Sequence, residues 1–198
     1  MTKVVPAPAR EKAAREHALE FRTTLHGALD EIDVATLQAA ARLICDAWRD
    51  DRRVFALGNG GSAAAASHFV CDLHGATPGR RRLAAICLAD NAPLVSALAN
   101  DLGYQHVFSE QVAASVREHD VVVVISASGD SENVVRAISA ARDAGAHTIG
   151  ILGFGGGRAR ALVEVPIVSS SKRYGIVESV HSAVTHVLAE LVRAEGPQ

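Results

Sequence analysis

The feature that most constrains this chain is an alternation. Short continuous apolar runs, mostly β-branched, recur at Val54–Leu57, Leu83–Leu88, Val121–Ser126, Thr148–Leu152 and Val165–Val168. Helical periodicity fills the gaps near Ser62–Leu73, Pro93–Ala99, Glu110–Val116, Ser131–Ala144 and Ala159–Leu162, and a long last helix is predicted over Ile176–Arg193. Strands apolar at every position are buried on both faces, and strands separated by helices are joined by crossovers. Before the first strand, residues 10–29 place Ala18, Phe21, Leu25 and Leu29 at helical spacing, and Asp33–Ala47 do the same with Leu37, Ala41, Ile44 and Cys45. These signs predict a doubly wound α/β fold: a mostly parallel five-stranded sheet flanked by helices, one domain over residues 1–198, with an N-terminal helical hairpin at 10–49. Ligands of such sheets bind beyond the carboxyl ends of the strands.

Composition removes several classes of function. At 198 residues the chain can bury a core of its own without staples. Lys and Arg number 20 against 22 Asp and Glu, a net charge of −2, so no polybasic face for nucleic acid or anionic lipid is expected. No apolar run approaches the ~20 residues of a membrane span, and residues 1–22 are charged where a signal peptide is apolar. Cys45, Cys71 and Cys87 are odd in number and unpaired in spacing, which predicts small buried hydrophobes in a reducing cytoplasm.

Two loops at predicted strand ends carry the chemistry. Leu57–Ser62 reads L-G-N-G-G-S, and its glycines let backbone approach an anion at the start of a helix. Asn59, Gly60, Gly61 and Ser62 are its candidates, with Ser62 also a candidate helix cap. Ile125–Ser131 reads I-S-A-S-G-D-S, grouping the hydroxyls of Ser126, Ser128 and Ser131 where the next helix begins. Several donors around a helix N-terminus suit a phosphomonoester. Neither loop is a Walker or dinucleotide motif.

A third group has metal-ligand chemistry. His68 and Asp72 share a helix face at i and i+4, and Glu178 and His186 share one eight residues apart. Two imidazoles and two carboxylates suit Zn²⁺ or another divalent ion, or equally a metal-free acid and base. His181 is expected to be structural. Arg80–Arg82 read as a solvated turn, while Lys172 and Arg173 stand at a strand end where a phosphate or sugar could be met. Aromatics make up only 4% of the residues, which predicts a site without a stacking platform.

From about residue 30 to 193 the chain resembles sugar isomerase (SIS) domains, and more narrowly the phosphoheptose isomerases. The resemblance lies in G-N-G-G-S (58–62), H-F (68–69), A-N-D-x-G-Y (99–104), F-S-x-Q-V (108–112), I-S-x-S-G-x-S (125–131) and E-x-x-H-x-x-x-x-H (178–186). It implies interconversion of D-sedoheptulose 7-phosphate and D-glycero-D-manno-heptose 7-phosphate through a cis-enediol. Ser126, Ala127, Ser128 and Ser131 would hold the phosphate, and Asn59, Ser62, Asp90 and Asn91 would line the sugar. Asp72 would be the base and His186 the acid, with a zinc ion at His68, Asp72, Glu178 and His186. It further implies a homotetramer with shared active sites. The chain departs from the family by Asp72 for Glu, Glu178 for Gln and Ala127 for Thr, and by Ala65 and Ser67 for Asp and Gln. The alternatives are a non-catalytic phosphosugar-binding or interaction module and an isomerase of another ketose phosphate.

Overall fold

The computed structural model describes residues 7–77 and 82–196, with side chains from residue 11 onward. Arg80 and Arg81 of the basic run lie outside the described residues. Five strands, β1 (Arg53–Gly58), β2 (Ala84–Cys87), β3 (Val121–Ser126), β4 (His147–Leu152) and β5 (Val165–Val168), form one sheet in the order β2-β1-β3-β4-β5. Every pairing is parallel, where a mostly parallel sheet was expected. Helical segments or a 3₁₀ turn separate consecutive strands, so no hairpin intervenes to reverse a neighbour.

The helices are α1 (Ala7–Asp30), α2 (Val34–Arg49), α3 (Gly61–Ala76), α4 (Ala92–Leu102), α5 (Ser109–Ser115), α6 (Glu132–Asp143) and α7 (Tyr174–Glu195). Alternate residues of the central strands face opposite layers. Val54, Ala56, Val121, Val123 and Ile125 pack with Ile44, Trp48, Phe69, Leu73 and Leu188 of α2, α3 and α7. Phe55, Leu57, Val122 and Val124 pack with Phe108, Val112, Val134 and Ile138 of α5 and α6. Both α1 and α2 lie against α7, which makes the last helix the centre of its layer. No helix among the described residues is long and apolar enough to cross a membrane.

Two local expectations are corrected. Residues 158–161 form a single 3₁₀ turn where a helix was predicted over Ala159–Leu162. Three glycines with positive φ (Gly155, Gly156 and Gly157) precede it and β5 follows at Val165, leaving no length for a second turn. Of the cysteines, Cys45 and Cys87 are buried, but Cys71 is exposed on the outer side of α3. Burial pushes both interior thiols up to about 11, so they remain neutral packing groups.

Candidate active site

The strand order places a switch point between β1 and β3, because the chain leaves β1 toward one edge and returns on its other side. The loops after these two strands form a cavity of about 150 Å³, lined by Asn59, Ser62, Ser126, Ala127, Ser128, Ser131, Tyr174 and Glu178, with Ile125 at its base. Three helices begin there. The N-cap residues of α3, α6 and α7 are Gly60, Ser131 and Arg173, and none makes a side-chain cap hydrogen bond. By contrast, Asp33 caps α2 and Asn91 caps α4 with carbonyl or carboxylate oxygens. Helix ends left uncapped around one hollow present unpaired N–H groups and positive dipole ends to an anion.

The expected capping role of Ser62 is therefore corrected. The turn after Asn59 requires a positive φ, which Gly60 supplies at 53°, and the helix starts before Ser62. Ser62 is nearly buried, and neither its hydroxyl nor that of Ser131 has a partner among the described residues. Ser126 Oγ accepts the Gly129 N–H at 3.0 Å and Ser128 Oγ accepts the Asp130 N–H at 3.2 Å. Both hydroxyls keep their hydrogens for a ligand. Asn59 is fixed by a reciprocal amide pair with Asn133, 2.9 Å each way, and by the Tyr104 hydroxyl, which donates to Asn59 Oδ1 at 2.9 Å.

Farther along α3 and α7 the second group assembles. His68 Nε2 lies 3.4 Å from Asp72 Oδ1, and His186 Nδ1 lies 3.0 Å from Asp72 Oδ2. The two imidazoles meet edge-to-face with centroids 5.1 Å apart. One ligand atom from each residue falls within 4.8 Å of the others. Asp72 Oδ2 is buried yet has no aligned hydrogen bond, His186 Nδ1 being near but off line. Two imidazoles and a carboxylate whose buried Oδ2 lacks a hydrogen bond fit a divalent cation. The cluster borders a separate hollow of about 380 Å³ shared with Cys71, Glu190 and Arg193. Since Gly61 abuts Glu178 and Asp72 abuts His186, α3 and α7 run side by side in the same direction.

These arrangements bear on what the chain is related to. A family model described as "SIS domain" matches residues 20–153. The phosphoheptose isomerase of Geobacter sp. (strain M21) is 36% identical over 185 residues, covering 93% of this chain and 94% of that protein. The solved phosphoheptose isomerase GmhA from Neisseria gonorrhoeae superposes with a TM-score of 0.83 at 32% identity, covering 93% of this chain and 98% of the other. The chain belongs to the SIS domain family, as a phosphoheptose isomerase. A phosphoheptose isomerase from Francisella tularensis shares the fold at 24% identity, TM-score 0.82, over 96% of this chain and 100% of that one.

As a phosphoheptose isomerase the chain is an isomerase, and its predicted residues distribute unevenly over the two groups. Asn59, Ser62, Ser126, Ala127, Ser128, Ser131 and Glu178 line the cavity, with Gly60 and Gly61 in its rim turn. His68, Asp72 and His186 come together, and Glu178 does not join them. It sits eight residues from His186, about 12 Å along the helix, with its carboxylate against Gly61. Asp90 and Asn91 are outside both groups: Asp90 accepts from Ser67 Oγ at 3.0 Å and Asn91 caps α4. Arg173 is committed to Glu20 of α1 at 2.7 Å. His181 is buried, as expected of a structural group, and desolvation lowers it to about 4 against a small opposing effect of the Leu152 carbonyl.

Sequence reasoning missed Asn133, Tyr104 and Tyr174 as site residues. Asn133 follows Ser131 by two and is a buried amide, a costly placement unless it is paired. Tyr174 stands one turn before Glu178, so the i, i+4 rule already put both on one face. Its presence corrects the expectation of a cavity without an aromatic wall, since Tyr174 lines it and meets Phe154 edge-on.

Proposed function

We propose that this chain interconverts D-sedoheptulose 7-phosphate and D-glycero-D-manno-heptose 7-phosphate through a cis-enediol, using Asp72 and His186 for proton transfer. The observation that carries this reading is the cavity where three uncapped helix N-termini meet serine hydroxyls, with an acid–base pair farther along the same two helices. The cavity is the natural seat of the phosphate dianion. Glu178, the acidic group in its wall, then faces the sugar side, where a carboxylate accepts hydroxyl hydrogen bonds.

Chain length favours a long sugar. Glu178 and His186 are about 12 Å apart along α7. An open-chain heptulose 7-phosphate spans roughly 9 Å from phosphorus to carbonyl carbon in a zigzag of ~1.5 Å bonds, and a pentulose 5-phosphate only about 6 Å. Of the two, the longer chain comes nearer to bridging the serines and the Asp72–His186 pair.

Asp72 removes the proton on the carbon beside the carbonyl, and His186 supplies one to the carbonyl oxygen. Asp72 then returns a proton to the former carbonyl carbon while His186 takes one from the hydroxyl of the adjacent carbon, so the product is an isomer with no net gain or loss of atoms. His68, Asp72 and His186 would hold a divalent ion, zinc by their donor set. Bound there, the ion would polarise the sugar carbonyl. The two imidazoles flank Asp72 at 3.4 and 3.0 Å and hold its carboxylate between them.

The further proposals are a homotetramer and a cytoplasmic setting. Self-association is supported by α4, which buries none of its residues although Leu94 and Leu102 are apolar, and by exposed Leu19, Phe21 and Leu29 on α1. Light scattering of the purified protein measures the assembly.

The experiment is conversion of sedoheptulose 7-phosphate by purified protein, followed by aldose formation before chelation, after it and after zinc is returned. Turnover that chelation abolishes and zinc restores is expected. Bound sugar phosphate without aldose in every condition would overturn the enzymatic reading in favour of a binding module, and faster turnover of a pentulose phosphate would overturn the substrate.

A further inference from the structure

The cavity contains a side chain that neither of its strand-end loops supplies. Tyr174 opens α7 and lines the hollow with Ser126, Ala127, Ser128 and Ser131. It is 62% exposed, so core packing does not account for its position. Its ring is held from the other side by Phe154, with centroids 4.8 Å apart at 72°. Phe154 is itself fixed in the left-handed region at φ 52°, its N–H donating to the Ser171 carbonyl at 3.2 Å. The Tyr174 hydroxyl has no hydrogen-bond partner among the described residues. A phenol anchored through its ring and unpaired at oxygen is a placed donor without an acceptor.

The same cavity lacks a donor where one would be useful. Ala127 stands between Ser126 and Ser128 in the wall and offers only a methyl group. A phosphate dianion has more acceptor sites than the serines can fill. The guanidinium of Arg173, the residue that precedes α7, is already paired with Glu20.

We propose that Tyr174 is a phosphate-binding residue of this chain, its phenolic O–H supplying the donor that Ala127 does not. This rests on the cavity being the phosphate seat. A neutral donor is compatible with Glu178 one turn along the same helix face, where it lines the same hollow.

The test uses the full chain and inorganic phosphate as the binding probe, alongside sedoheptulose 7-phosphate turnover. Tyr174→Phe keeps the ring and its contact with Phe154 and removes only the hydroxyl. The Kd for phosphate and the KM for the sugar phosphate should rise together about tenfold, the weight of one hydrogen bond to a charged group, and the loss should fall on KM and not on kcat. Ala127→Thr placed in the Tyr174→Phe background should recover most of the phosphate affinity. Unchanged phosphate affinity in Tyr174→Phe overturns the proposal. So does a fall in melting temperature that Ala127→Thr leaves uncorrected together with the affinity. If the parent chain binds phosphate but does not isomerise the heptulose phosphate, the enzymatic reading fails and the Tyr174 result still stands by its own measurement. If the parent binds no phosphate, the phosphate reading and this proposal fall together.

Discussion

The serine cavity and the His68–Asp72–His186 cluster both stand on α3 and α7, but they are held in place by different means. The cavity is backbone architecture: strand ends, glycine turns and helix N-termini fix it before any ligand arrives. The cluster is three side chains on helix surfaces, with His68 and His186 at least half exposed and only Asp72 largely covered. Binding is thus built into the main chain and chemistry is mounted on it as replaceable groups. A single side-chain change should remove the chemistry without disturbing the binding, and a single added methyl should do the reverse.

The largest effect is expected at Asp72. Asp72→Asn is nearly isosteric and removes the base, so kcat should fall by about 10²–10⁴. Phosphate affinity measured by calorimetry should stay within about twofold, because the cavity is a separate hollow. A parallel loss of phosphate affinity would merge the two regions into one cooperative unit.

The reciprocal break lies in the serine loop. Gly129 has φ 68°, and a Cβ there would lie 2.0 Å from the Gly156 carbonyl oxygen. Gly129→Ala should cost about 2–4 kcal/mol through strain and a backbone clash, read as a lower denaturation midpoint, with phosphate binding largely lost. Gly61→Ala is the informative contrast. Its Cβ would meet the carboxylate end of Glu178 at 2.6 Å, a flexible tip that can swing aside. Stability should change little while KM for the sugar rises.

His181 lies on α7 between Glu178 and His186 and joins the two regions through the core. It is buried, with the Leu152 carbonyl near its ring but no aligned hydrogen bond at either nitrogen, and desolvation holds it down to about 4. The unfolded chain therefore binds the extra proton between about pH 6.5 and 4, so stability is complete above that window and lost as pH falls through it. The loss should approach roughly 3 kcal/mol at the lower end. Melting temperature recorded from pH 7 to pH 4 checks this, and His181→Leu should flatten the slope. An unchanged slope in that variant would move the acid sensitivity to other groups.

The contrast also explains what could be seen in the sequence. Strands such as Val121–Ser126, apolar at every position, announced a doubly covered parallel sheet, and the two loops after β1 and β3 were legible from glycine and serine alone. The i, i+4 spacing of His68 and Asp72 put them together correctly. Spacing could not decide Glu178, since residues eight apart on a helix share a face yet stand about 12 Å apart. Nor could it reveal Asn133, whose partner Asn59 is 74 positions away and reaches it only through the β1–β3 pairing. Asp90 and Asn91 were harder to read, because a polar pair after a strand looks alike whether it meets a ligand or starts a helix; here Asn91 caps α4 and Asp90 accepts from Ser67.

The smallest expected effect tests how the main-chain region is tuned. The Tyr104 hydroxyl donates to Asn59 Oδ1, which already accepts from Asn133, so the amide is forced to present its nitrogen toward Asn133 Oδ1 with one N–H left over beside the cavity. Tyr104 touches neither the serines nor the Asp72 cluster, and its ring is half exposed, so Tyr104→Phe removes a single orienting bond. A neutral hydrogen bond at such a site is worth about 0.5–1.5 kcal/mol, which predicts a KM higher by roughly two- to tenfold with melting temperature nearly constant. In an Asn59→Ala background the Tyr104 change should have no further effect on KM. Additive losses in that double variant would mean Tyr104 acts on the ligand by another route, and the cavity would then be positioned by more than its own loops.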